Sequence, residues 1–138
     1  MSDREFVVDP FTQTEVRVPS GIWPEQAIEH ARRSRDGALR RIRFFLDRGH
    51  RYPLWEDGSD GYTKEPGDYG LSADLGKRLH AWYQTWAKHC SPEHDWSDEQ
   101  LHQVWLVAGH RLANEVELEV YNFAEVIREF DADRSPMG

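Results

Sequence analysis

A single cysteine, Cys90, and the absence of any apolar run near the ~20 residues of a membrane span remove two classes of protein at the outset. One thiol cannot close an intrachain disulfide, so nothing in the chain calls for an oxidising compartment. The start, Met1-Ser2-Asp3-Arg4-Glu5, has neither the basic beginning nor the apolar middle of a secretion signal. The expectation is a cytoplasmic protein with no membrane role. A glycine-rich phosphate loop, a strong paired-ligand zinc spacing and a nucleic-acid motif are all missing, as are repeats and low-complexity tracts. The sequence therefore assigns no catalytic residue, no metal and no cofactor, and the chain reads as a non-enzyme.

What is present is charge and aromatic surface. The 138 residues carry a net charge of −8, six Trp, five Tyr and six Phe. That aromatic content is too high for a disordered acidic tail, and the length suits one domain over 1–138 that buries roughly two-thirds of the surface of its unfolded chain. The charge is unevenly placed. Arg32, Arg33, Arg35, Arg40, Arg41, Arg43, Arg48 and Arg51 face only Asp36 and Asp47 in their stretch. From Glu115 to Asp133 the bias reverses, with Glu115, Glu117, Glu119, Glu125, Glu129, Asp131 and Asp133 against Arg128. Equal and opposite local excesses predict that the two segments pair with each other.

Phe6-Val7-Val8 and Glu15-Val16-Arg17-Val18, split by Asp9-Pro10, predict two short extended segments, a hairpin or an extended arm within 1–20. Pro24 suits a first helical position, and Ala27, Ile28 and Ala31 follow at helical spacing until Asp36-Gly37. Ile42, Phe44 and Leu46 alternate as in a strand, which puts Arg41, Arg43 and Phe45 on the other face; the same stretch also fits a helix ending at Gly49. Glu56 to Gly70 holds Gly58, Gly61, Gly67, Gly70 and Pro66 and reads as an irregular exposed loop.

Ser72 predicts a cap for a helix striped by Leu75, Leu79, Trp82 and Trp86, ending near Cys90-Ser91-Pro92. Ser97 with Gln100 forms a capping-box pattern, and Trp96 with Leu101 a hydrophobic staple, for a second helix striped by Leu101, Val104, Trp105, Ala108, Leu112 and Val116. Joined by Ser91 to Asp95, the two should lie antiparallel, with Trp82, Trp86 and Trp105 at the contact. A last strand is expected within Phe123 to Phe130, although Val116, Val120, Phe123 and Ile127 also fit a longer helix. The fold class is thus α+β, with two or three helices including an antiparallel pair on a small sheet; an all-α fold is the alternative.

Three groups of residues bear on function. Trp55, Asp57, Asp60, Tyr62, Asp68 and Tyr69 set large aromatics among carboxylates, a composition suited to a basic protein partner such as a toxin or an enzyme. Arg40, Arg41 and Arg43 offer forks that match phosphate, but the overall acidity disfavours nucleic acid and internal pairing outweighs a free patch. His89, Cys90, His94 and His102 are borderline zinc ligands or parts of a small enzyme site; adjacency of His89 and Cys90 makes their side chains diverge by ~100° on a helix.

The run Arg41-Ile42-Arg43 through Asp47, then Tyr52-Pro53-Leu54-Trp55, then Tyr69-Gly70-Leu71-Ser72 with Leu75, Leu79, Trp82 and Trp86, resembles small uncharacterised bacterial proteins frequent in actinobacteria. The resemblance spans approximately Arg40 to Leu118 and implies a basic strand, a Pro-Leu-Trp turn, an aromatic helix and a small sheet, with no activity attached. In general character such acidic proteins are similar to immunity proteins, which block a toxin with charge and aromatic surface. The leading expectation is accordingly an inhibitor or immunity-type protein acting through the acidic aromatic loop, with a phosphate-binding module at Arg40, Arg41 and Arg43 as the alternative.

Overall fold

A computed structural model describes residues 6–58, 61–91 and 95–130. Its fold is α+β. Strands β1 (Phe6–Val8) and β2 (Glu15–Arg17) form an antiparallel hairpin, followed by helix α1 (Pro24–Arg35). Strand β3 (Arg40–Phe44) leads through a long loop and a short 3-10 turn (Pro66–Tyr69) into α2 (Ala73–His89), α3 (Glu99–Glu119) and β4 (Ala124–Arg128).

Local chemistry fixes most of these boundaries. Pro24 opens α1, and the Gln26 side chain accepts from the Trp23 backbone N–H at 2.9 Å. Ser72 caps α2 by accepting from the Leu75 N–H. Helix α3 departs from the expected start. Its cap is Asp98, whose carboxylate accepts from the backbone N–H groups of Gln100 and Leu101 at 3.0 and 3.1 Å, in place of Ser97. An ionised acceptor at the positive helix end outcompetes a hydroxyl one residue earlier. Trp96, just before the cap, stacks on His102 at 4.9 Å.

Helices α2 and α3 run antiparallel, as the cross-links Ser72 to Glu119, Arg78 to Glu115 and Trp82 to Trp105 show by their opposite progression. At the contact, the Trp82 and Trp105 rings stack 4.4 Å apart, and each indole N–H donates to the other's backbone carbonyl, at 2.9 and 3.1 Å. Both buried donors are thereby satisfied without water. Trp86 does not join that stack but packs beneath the Arg48 guanidinium at the core edge. Val104, expected inside, is 63% exposed; the buried stripe of α3 is Trp105, Gly109, Leu112, Ala113 and Val116.

Strand β4 lies parallel to β3, with Arg41 opposite Glu125 and Ile42 opposite Val126. A parallel pair needs a long crossover, and the helical hairpin α2–α3 supplies it. Ile42 and Phe44 point from β3 onto Leu75, Leu79 and Val116 in the core, so Arg41 and Arg43 are left on the outer face of the sheet.

Candidate functional site

The outer face of the β3–β4 sheet and the loop after β3 form one surface. Trp55 bridges to Arg43 on one side and to Thr63 on the other. The Arg43 N–H donates to the Trp55 carbonyl at 2.8 Å and the Trp55 N–H returns a bond at 3.1 Å. The Glu56 N–H then donates to the Tyr62 carbonyl at 3.0 Å. The base of the loop expected to be irregular is therefore laddered onto the sheet, and residues beyond Glu56 are carried out from a fixed root.

Trp55 and Tyr69, expected from the sequence as contact residues, sit inside, each 5% exposed. Trp55 stacks on Phe45 at 4.7 Å and donates its indole N–H to the Phe45 carbonyl. Tyr69 donates its hydroxyl to Glu56 at 2.8 Å. What the loop shows outward is Asp57, with a side chain 67% exposed, Tyr62 at 44% and the exposed Asp68. Tyr62 leans on Trp55 at 5.0 Å, so the buried indole backs the exposed phenol. Asp68 also accepts from the Glu65 N–H at the head of the 3-10 turn. Asp60 lies outside the described residues.

Arg41 and Arg43 pair with the C-terminal acidic segment, as the segment charges predicted, whereas Arg40 pairs within its own half of the chain. Arg40 places its fork on Glu56 at 3.0 and 2.7 Å. Arg43 does the same with Glu129 and reaches Asp57 and the Tyr62 hydroxyl with Nη1, at 3.3 and 3.1 Å. Arg41 touches Glu125 through Nε at 3.4 Å. Arg40, Arg41 and Arg43, the residues of the phosphate-binding alternative, share the face with Glu56, Asp57, Glu125 and Glu129 and present no surplus positive charge to a polyanion. Between them lies a cleft of about 430 Å³, lined by the three arginines, Glu56, Asp57 and Glu129 over Leu39 and Ile127.

Electrostatics follow from these bonds. Hydrogen bonding to Glu129 holds the Arg43 guanidinium charged well beyond its ordinary range. The Arg40 fork keeps the Glu56 carboxyl below the usual glutamate value, helped by the Tyr69 hydroxyl against the opposing effect of burial. Burial first, and then Glu56, pushes the Tyr69 hydroxyl up, so it remains a donor. A depressed folded-state carboxyl contributes stability that is full above its unfolded value of about 4.3 and is lost as pH falls through the folded value. Glu56→Gln should cost about 1 kcal/mol at pH 7, since Arg40 is partly solvated and can rehydrate. The difference from wild type should shrink at pH 3; urea unfolding at the two pH values checks it, and an equal difference at both would refute it.

The soft-ligand group does not assemble into this face. Cys90 borders a separate cavity of about 200 Å³ with Asp95, Trp96 and His102. Its thiol donates to Asp95 at 3.6 Å and is pushed up by burial and by that carboxylate, the opposite of nucleophile activation. His102 is buried under Trp96 with Glu99 at 3.5 Å, and among the described residues no group of three His, Cys, Asp or Glu could hold a metal. His94 lies outside the described residues.

Sequence reasoning found Asp57, Tyr62 and the arginines but missed Glu56 and Glu129 as members of the face. The only signal for Glu129 was the reversed charge bias of its distant segment, and Glu56 read as the first residue of the loop; neither names a partner.

Fold and face together define a small α+β protein whose polar groups converge on a charge-paired surface. The chain belongs to the Serratia CdiI immunity protein-like family, whose model matches residues 40–128, from the first residue of β3 to the last of β4. It is an immunity-type protein. No curated protein matches the chain.

Proposed function

We propose that this protein neutralises a toxin in the cytoplasm by covering a basic patch on it with the edge formed by Asp57, Tyr62 and Asp68, to which Asp60 adds a further carboxylate in the sequence of the same loop. It acts by occlusion and not by catalysis. The observation that carries the reading is the exposed Asp57 and Tyr62 pair, rooted on the sheet and tied to one guanidinium of Arg43. A contact group already held in place loses less freedom on binding. Trp55 and Tyr69 support this edge from inside, and the net charge of −8 favours fast encounter with a basic surface. The chain acts as one unit over 1–138, with the segment 1–20 as an arm whose hairpin is fastened to α1 by Asp9 and Arg35 at 3.1 Å.

The test uses a purified toxin domain from the source cell. Wild-type protein should bind it with an association rate that falls as salt rises. Asp57→Asn combined with Asp68→Asn should slow association several-fold, while Tyr62→Ala should raise dissociation about 10-fold, the effect of losing a partly buried aromatic contact worth ~1–2 kcal/mol. Rates unchanged in both variants would remove this edge from the interface.

A further inference from the structure

The three arginines of the cleft are not equally committed. Arg40 has both arms of its fork on Glu56, and Arg43 spreads over Glu129, Asp57 and Tyr62. Arg41 is 68% exposed along its side chain and meets Glu125 through Nε at 3.4 Å, beyond a close ion-paired hydrogen bond. Glu125 is itself shared, since its other oxygen accepts from the Ser34 hydroxyl at 2.7 Å. Among the described residues nothing bonds the two terminal nitrogens of Arg41, although the residue lines the cleft. The opposite sign is also available. Among the described residues Asp57 bonds Arg43 alone, at 3.3 and 3.4 Å, with two-thirds of its side chain open to solvent. Ion-paired hydrogen bonds close to about 2.7–2.9 Å where geometry allows, so both groups keep bonding capacity.

From this we infer, resting on the reading of the face as a toxin-binding surface, that the cleft takes a toxin segment carrying both signs: a carboxylate on the Arg41 fork and a lysine or arginine on Asp57. The volume of about 430 Å³ is within the range of pockets that enclose a ligand, ~300–1,000 Å³, and suits a pair of side chains. Leu39 and Ile127 at its floor accept their aliphatic stems. A phosphate fits poorly, because Asp57, Glu56 and Glu129 line the same cleft as Arg41 and repel a multiply charged anion. The arrangement also gives specificity. A toxin with a uniformly basic patch meets Arg41 as an unpaired like charge, which is costly in a partly desolvated interface.

Arg41 discriminates because the two kinds of partner make opposite demands on it. Binding of that toxin domain should weaken about 10-fold or more with Arg41→Glu and several-fold with Arg41→Gln, mostly through faster dissociation. Arg41→Gln keeps a polar contact to Glu125 and decides between the two if the glutamate variant does not fold. Equal or tighter binding by either folded variant would overturn the two-sign cleft while leaving the proposed function intact. Failure of the wild-type protein to bind the toxin domain would instead overturn the proposed function and this inference with it.

Discussion

Replacing Phe44 with alanine should lower the unfolding free energy by about 3–5 kcal/mol, a large share of the ~5–15 kcal/mol that holds a typical domain together. Phe44 is fully buried at the end of β3, and its ring lies 5.6 Å from both Trp82 and Phe130. It is the residue through which the β3–β4 sheet meets the tryptophan stack of the helical hairpin. Collapse around an alanine is resisted on each side. The Trp82 and Trp105 rings are fixed by reciprocal indole to carbonyl bonds, and the β3 backbone is held by β4 and by Trp55. The cavity therefore stays open, and its cost adds to the lost transfer energy. Urea unfolding monitored by tryptophan fluorescence measures this; a loss below about 1 kcal/mol would show that the sheet and hairpin do not share one core.

Gly109→Ala should destabilise by about 2 kcal/mol, although intrinsic helix propensity alone favours alanine by ~1 kcal/mol in mid-helix. The reason is the close approach of two rings. A β-carbon on Gly109 would press directly against Trp82 and come within 2.8 and 3.0 Å of the Phe130 ring. Trp82 cannot withdraw without breaking its stack on Trp105, and Phe130 is wedged edge-on at 5.1 Å from Trp82. The conflict is overpacking between rigid groups, which outweighs the propensity gain. Thermal unfolding of the variant gives the sign directly. A rise in Tm would mean that α2 and α3 can separate freely and that the glycine is not a spacer.

Several elements were legible in the sequence because their causes are local. Pro24, the Ser72 cap and the Leu75, Leu79 and Trp82 stripe each act within a turn or two of helix, and the observed helices start where they indicate. Alternation of Ile42 and Phe44 identified β3 and left Arg41 and Arg43 outside. The capping-box pattern put the start of α3 at Ser97, and only the folded chain shows that the Asp98 carboxylate is the side chain that reaches the free N–H groups. Val104 fitted the apolar spacing, yet it lies on the flank of α3 that α2 does not cover.

The face was legible as composition but not as geometry. Trp55 and Tyr69 read as surface aromatics because they border an acidic, glycine-rich loop. Their burial depends on Phe45 stacking and on a hydroxyl bond to Glu56, contacts made across a bend that periodicity does not describe.

By itself the sequence determined the helices, the strand β3, the acidic character and the complementary charge of the arginine and glutamate segments, since propensity, capping and net charge are properties of neighbouring residues. Only the tertiary structure decided which charges meet and which remain open. Arg43 and Glu129 are separated by 86 positions and come together through the parallel register of β3 and β4. That register is set by packing Ile42, Phe44 and Val126 against the helical hairpin, and it leaves the Arg41 fork and Asp57 at the same cleft.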